Sequence, residues 1–318
     1  MGGGALPPSE LPAGARRGLA SGPVDNRAEI TDFLATRRAR LTPEQVGLPA
    51  SGRRRVPGLR REEVAVLAGV STDWYTRLER GHIAEVSDDV LAAVCRALRL
   101  DEAERSHLDD LARAARPSRA PRRRASQRVR PSVQWMLDAM TGAAAIVPNG
   151  SMDLVAANAL GRALYSPVYE FAAGGQANIA RFQFLDPRAR DFHQDWPAAL
   201  STTVAIMRTA AGRDPHNRAL TDLVGELATR SEEFRSRWAG HDVRLHHTGA
   251  KTFVHPVVGR LDLAFESIAL PTDELWGLTL TVYTGEPGSP TADGLSMLAS
   301  WAASQDAAPP TPWDEPAT

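Results

Sequence analysis

One stretch of the sequence predicts how the N-terminal half folds, and from Arg60 to Gly81 it reads RREEVAVLAGVSTDWYTRLERG. Ala65 is small where two helices would cross closely, and Gly69 permits the left-handed backbone of a tight turn between them. Ser71 follows as the N-cap of a second helix. Such a helix-turn-helix presents its second helix to the major groove of DNA. The alternative interpretation is a helical hairpin with no nucleic-acid role.

Candidate DNA contacts lie on the outer face of the second predicted helix and on the arginines around the first. The residues expected near base edges are Thr72, Asp73, Trp74, Thr76 and Arg77. Those expected on phosphates are Arg53, Arg54, Arg55, Arg60 and Arg61. Asp73 would accept a hydrogen bond from a cytosine amino group or cap its own helix, and Trp74 would touch a thymine methyl or be half-buried. Glu79 is expected to pair with an arginine inside the domain.

The net charge of −1 conceals an asymmetry between the two halves of the chain. Residues 1–130 hold 24 arginines and 17 acidic residues (24 − 17 = +7), and residues 131–318 hold 13 basic and 21 acidic residues (13 − 21 = −8). A basic half favours contact with a polyanion, although a solvated charge run is the alternative. Among the 37 basic residues, Lys251 is the one lysine.

Composition and periodicity divide the chain into five parts. The predicted parts are a disordered tail at 1–25, a helical domain at 26–115, an Arg-rich linker at 116–130, a mixed domain at 131–286 and a Pro-rich tail at 287–318. In the mixed domain, helical stretches precede runs with a period of two, such as Leu261, Leu263 and Phe265, and then Trp276, Leu278 and Leu280. This pattern predicts an antiparallel sheet whose strands bury one face.

The N-terminal domain resembles the lambda-repressor/Cro-type (Xre-like) domain of bacterial regulators, over roughly 26–115. The stretch RRRVPGLRREEVA from Arg53 and, in the second half, WAGHDV from Trp238, HPVVG from His255 and YTGEPGS from Tyr283 are similar to the MmyB-like regulators of actinobacteria. The resemblance implies a multidomain α and α+β protein, with a five-helix domain followed by a PAS-like domain. It also implies a small-molecule ligand, for which fatty acid is the suggested class.

Candidate ligand-binding residues are the polar and aromatic side chains of the mixed domain. They are Asn158, Arg181, Phe184, Trp196, Phe253, His255, Phe265 and Trp276. Arg181 and His255 are the groups expected near a carboxylate end, and Arg181 is equally a candidate surface residue. Most of the aromatics are core candidates, and Asn158 has a structural alternative, in which it ties a strand-to-helix turn.

Other chemistries find little support in the sequence. His246, His247 and His255 invite a metal site, but His246 and His247 would point to opposite faces of a strand. A Gly-x-Ser-x-Gly elbow is missing, so we expect no enzyme activity. The single cysteine, Cys95, excludes a disulfide framework and a multi-cysteine zinc site, and we expect no cofactor. The expected protein is a cytoplasmic, homodimeric transcription regulator that binds operator DNA and senses a small apolar ligand. The alternative is a regulator whose second half serves dimerisation or partner contact without a ligand.

Overall fold

A computed structural model describes residues 26–49, 58–116, 129–243, 247–270 and 278–306. The predicted tail at 1–25 and most of the predicted linker lie outside these ranges. The N-terminal domain has the five expected helices and a short 3-10 turn at Glu44–Val46. The helices are α1 (Asn26–Arg40), α2 (Arg61–Ala68), α3 (Thr72–Glu79), α4 (Asp88–Ala97) and α5 (Glu102–Ala115).

Apolar side chains at helical spacing explain how these five helices pack. Ile30, Phe33 and Leu34 lie on one face of α1 and are buried together with Leu91 of α4 and Leu108 of α5. Apolar burial is the main favourable term in folding, so this shared cluster holds the domain together. The buried cluster includes one side chain from the second half of the chain, Val243.

The second domain is built on a five-stranded antiparallel sheet in the order β2-β1-β5-β4-β3. Its strands are β1 (Ala144–Pro148), β2 (Leu154–Ala157), β3 (Thr248–His255), β4 (Gly259–Leu270) and β5 (Leu278–Thr284). The Asn149-Gly150 signal is confirmed, because the chain turns there between β1 and β2. The antiparallel sheet is therefore the one that the period-two runs predicted.

Nine helices surround this sheet in the described part of the chain. They are α6 (Pro131–Ala139), α7 (Ala159–Leu164), α8 (Ser166–Ala172), α9 (Ile179–Leu185), α10 (Ala189–Phe192), α11 (Trp196–Arg213), α12 (Arg218–Arg230), α13 (Glu232–Ala239) and α14 (Pro290–Asp306). The main core lies between the sheet and the helices α7 to α14. A smaller apolar cluster, which includes Val133 and Leu137 of α6, covers part of the opposite face.

The expectation that the apolar residues of β4 and β5 share one face is wrong. Phe265 pairs with Tyr283 and faces the main core, whereas Leu280 pairs with Ile268 and packs in the smaller cluster with α6. A central strand can be apolar on both faces, so alternation alone does not say which face carries the core. On β5 the core-facing positions are Thr281 and Tyr283.

The Pro-rich tail predicted at 287–318 is also corrected in its first part. Pro290 begins α14, where a proline is favoured because the missing N–H has no helical partner at that position. Leu295 and Leu298 are buried in the main core, and Gly294 lies close enough to β4 that a Cβ there would meet Leu261 at 2.6 Å. The second domain therefore extends to α14, and residues 307–318 lie outside the described ranges.

Candidate DNA-binding surface and ligand pocket

The turn between α2 and α3 has the geometry that the sequence predicted. Gly69 adopts φ 68° and ends α2, and the Ser71 side chain accepts a hydrogen bond of 3.1 Å from the Trp74 amide to begin α3. Tyr75 and Leu78 are buried against the domain core. These contacts turn the opposite side of α3 toward solvent.

Buried Glu79 joins α3 to α1 and α2 by ion pairs. Its carboxylate accepts hydrogen bonds of 2.8 and 3.0 Å from Arg38 and of 3.1 and 3.2 Å from Arg61. Burial alone would raise the pKa of Glu79, but the hydrogen bonds from both arginines hold it below its usual range. The expected pairing of Glu79 within the domain is confirmed, and it fixes the orientation of the candidate recognition helix.

The residues expected near base edges form one accessible face of α3. Thr72, Asp73 and Arg77 are exposed, and Thr76 and Trp74 are half-buried. Trp74 also packs against the domain core, which agrees with its half-buried interpretation. Ser71 rather than Asp73 supplies the N-cap, so the carboxylate of Asp73 is left on the outer face.

The arginines expected on phosphates are partly described. Arg53, Arg54 and Arg55 lie outside the described residues. Arg60 contacts Glu62 at 3.2 Å and Arg61 contacts Glu79 at 3.1 Å, with 41% and 47% of their side chains exposed. A phosphate at either position would share its arginine with a carboxylate of the protein.

A cavity of about 420 Å³ lies between the sheet and the first half of α11. Ile146 and Met152 line one part, and Phe265 and Tyr283 line another. From α11 the lining includes Ala199, Thr202, Thr203 and Ile206. Its size and mixed lining are typical of small-molecule sites.

A chain of buried polar groups runs along one wall of this pocket. The Thr203 hydroxyl lies 2.5 Å from Oε1 of Gln183, and Nε2 of Gln183 lies 3.2 Å from Nε2 of His193. Since the Gln183 amide donates through Nε2, His193 accepts there and carries its proton on Nδ1. Burial, together with nearby Lys251, lowers the pKa of His193 to about 3. His193 is therefore neutral at physiological pH.

Lys251 places a positive charge in the same pocket. Its ammonium lies 4.9 Å from the ring centre of Phe265 and 5.8 Å from that of Tyr283, within the range of cation–π attraction. Among the described residues it forms no ion pair with a carboxylate. The pocket therefore combines apolar walls with a cation that an anionic ligand group can reach.

The predicted ligand-binding residues are spread over several places. Phe265 lines the pocket, whereas Phe184 and Trp196 line a neighbouring cavity of about 720 Å³. Phe253 is a buried core residue in contact with the ring of His193, and Trp276 lies outside the described residues.

Neither of the two groups expected near a ligand carboxylate lines the pocket, and each has a partner within the protein. Arg181 forms a 2.8 Å ion pair with Glu226 and does not line the pocket. His255 is buried with Nε2 3.0 Å from the Ala163 carbonyl, and burial lowers its pKa. Neither Arg181 nor His255 lines this pocket, so neither faces a ligand bound in it.

Asn158 has the structural role that was its alternative. Its side-chain oxygen accepts hydrogen bonds from the amides of Gly161 at 2.7 Å and Ala145 at 2.9 Å, and its nitrogen donates to the carbonyls of Met140 and Ala143. It thereby caps α7 and joins it to β1. All of these partners belong to the protein, so Asn158 is not a pocket residue.

The sequence interpretation missed Lys251, Gln183 and His193 as pocket residues. The one available signal was that Lys251 is the chain's single lysine, and its meaning depended on a position that composition cannot give. In the described part of the chain, no helix has the length and apolarity to cross a membrane, and no cluster of potential metal ligands occurs.

Two family models match the chain, and each covers one domain. A helix-turn-helix domain matches residues 29–108, and the MmyB-like transcription regulator ligand binding domain matches residues 129–298. Both describe parts of transcription regulators rather than enzymes. No curated protein sequence matches the chain. The second match spans more than half of the 318 residues, and the chain therefore belongs to the MmyB-like transcription regulators.

Proposed function

We propose that this regulator binds operator DNA through α3 and that a small amphipathic molecule in the pocket changes its operator affinity. The observation that carries the proposal is the pocket itself, which lies beside Lys251 in the same chain as an accessible recognition helix. A ligand regulates by binding two arrangements of the protein unequally, and couplings of about 1–3 kcal/mol are typical.

The ligand is a long-chain apolar molecule with a carboxylate, and fatty acid is the class that meets this description. The apolar walls would hold the chain, and the carboxylate would pair with Lys251. The proton on Nδ1 of His193 offers a second donor without adding charge. Arg181 and His255 are not candidates for this role, because protein groups already occupy them.

At the DNA, we assign base contacts to the accessible face of α3 and phosphate contacts to the arginines near α2. The base contacts are Thr72, Asp73, Trp74, Thr76 and Arg77, and the phosphate contacts are Arg53, Arg54, Arg55, Arg60 and Arg61. One such helix reads only a few base pairs, so specificity favours a homodimer on two half-sites. Because its target is operator DNA, we place its action in the cytoplasm.

The test is operator affinity with and without dodecanoate, on an operator selected from random DNA. We expect dodecanoate to change the operator Kd of the native protein, and Lys251→Met to weaken dodecanoate binding at least tenfold, which is about 1.4 kcal/mol. Dodecanol, which lacks the carboxylate, should bind both proteins equally. Arg260→Met, which alters an exposed cation on the next strand, is the matched control.

A second role, association of the second domains, is favoured by apolar side chains on the side of the sheet opposite the pocket. Trp135 on α6 is 70% exposed and Ile268 on β4 is 55% exposed. If dodecanoate binds and leaves operator affinity unchanged, association alone remains as the role of this domain.

A further inference from the structure

Helix α11 has two different neighbours along its length. Its N-terminal part, as far as Ile206, lines the pocket through Ala199, Thr202, Thr203 and Ile206. Its second half packs against the DNA-binding domain, where Arg213 pairs with Asp110 of α5 at 2.8 Å. A helix rises about 1.5 Å per residue, so the two contact regions are roughly 10–15 Å apart on one continuous element.

The centre of the contact between the domains is a buried ion pair. Arg208 of α11 is fully buried, and its Nη1 lies 2.5 Å from Oε1 of Glu29 on α1, which is 7% exposed. Arg208 also donates to the Trp238 carbonyl and lies 4.2 Å from the centre of that ring. Burial would raise the pKa of Glu29, but Arg208, His107 and His241 hold it well below its usual range.

Steric contact makes the same interface sensitive to small displacements. Gly212 of α11 faces His107 of α5 so closely that a Cβ there would lie 2.7 Å from Cε1 and 2.9 Å from Nδ1 of the imidazole. A small displacement of α11 relative to α1 would lengthen the Glu29–Arg208 pair while both charges stay buried, which is unfavourable. Close packing and a buried charge pair favour a few discrete arrangements over gradual sliding.

A second connection joins the pocket to the DNA-binding domain. After α13, the backbone carbonyl of His241 accepts from Arg37 of α1, and Val243 is buried in the core of the DNA-binding domain. The chain then enters β3, whose residues 248–252 line the pocket and include Lys251. The pocket thus borders two segments that reach the DNA-binding domain: α11, which contacts α1 and α5, and the segment before β3, which contacts α1.

We propose that α11 transmits occupancy of the pocket to the DNA-binding domain through the Arg208–Glu29 pair and the Gly212–His107 contact. This inference rests on the proposed function, and it specifies how that pocket regulates. The contact is made by α1 and α5, while Thr72, Asp73 and Arg77 of α3 stay exposed. Regulation therefore acts on the orientation of the DNA-binding domain, and through it on the spacing of two recognition helices, rather than by covering α3.

The experiment fills the pocket in two ways and measures the interface directly. One way is saturating dodecanoate and the other is Thr202→Phe, which adds a ring on the pocket side of α11 and needs no ligand. We expect either change to alter amide hydrogen exchange of α1 and α5 at least threefold. Unchanged exchange in α1 and α5 of the Thr202→Phe protein would overturn the inference.

Two variants at the interface test whether the contact itself transmits the change. Gly212→Ala inserts a Cβ against His107, and Glu29→Gln with Arg208→Met removes both buried charges together, so that neither is left unpaired. With either variant we expect Thr202→Phe to have no further effect on exchange in α1 and α5. Gly225→Ala is the matched control, because that helical glycine has no neighbour within 4 Å of a Cβ.

Operator affinity, measured on the same proteins, separates the two proposals. Transmission through α11 is supported if Thr202→Phe no longer changes exchange or operator affinity in the interface variants but still changes both in Gly225→Ala. A full effect in both interface variants overturns it. If exchange responds as expected and operator affinity does not, transmission stands and the proposed regulatory function fails.

Discussion

At the scale of single residues, His193 shows how surroundings change what a side chain does. An imidazole on a surface titrates near physiological pH, whereas burial and nearby Lys251 lower the pKa of His193 to about 3. In the unfolded chain its pKa returns to about 6.5. The unfolded state therefore binds one more proton than the folded state between these two values.

This difference predicts how stability depends on pH. The contribution of His193 is fully present above pH 6.5 and is lost as pH falls toward 3, with a slope of about 1.4 kcal/mol per pH unit. His193→Gln should flatten the fall in the free energy of unfolding between pH 7 and 5, measured by urea denaturation. His216→Gln, at an exposed histidine, should keep the native slope. Equal slopes in the two variants would contradict the assignment.

At the scale of elements, α3 and the arginine before α2 should have separable effects on DNA. Thr72→Ala should change base preference by about 1 kcal/mol, because the proposed contact of its hydroxyl with a base edge would be lost. Arg60→Ala should weaken binding to all sequences and reduce the slope of log affinity against log salt by about one. Titrations of operator and scrambled DNA over a salt series measure both. A change of base preference in Arg60→Ala alone would reverse the roles.

The elements also show which parts of the fold a sequence can predict. In the helix-turn-helix, Gly69, Ser71 and the buried apolar residues all specify the same turn. Signals from nearby residues were therefore enough to predict this part of the fold. On β5, apolar and polar residues alternate clearly, but the alternation did not show which residues face the main core, because a central strand is covered on both sides. The lining of the pocket other than Phe265 could not be predicted, since it joins Ile146, Gln183, Lys251 and Tyr283, which are distant in the chain.

At the scale of the whole molecule, two copies on one operator are the expected assembly. Half-sites should lie about one helical turn, or roughly 10–11 base pairs, apart or a multiple of it. Trp135→Ser combined with Ile268→Ser should weaken self-association and binding to the full operator while preserving binding to a half-site. Sedimentation and footprinting measure these effects, and a native monomer on the operator at saturation would refute the assembly. Met297→Ser, at a 62% exposed residue of α14 on the other side of the sheet, is the control.

The burial of Val243 in the core of the DNA-binding domain has a consequence for how the regulator is made. Because a ribosome delivers residues in order, α1 to α5 emerge long before Val243 and Arg208 can reach them. A prematurely terminated chain would carry the recognition helix but lack the side chains that complete its support. We expect such fragments to be less stable and more readily degraded, so that translation errors yield few DNA-binding domains detached from their sensor.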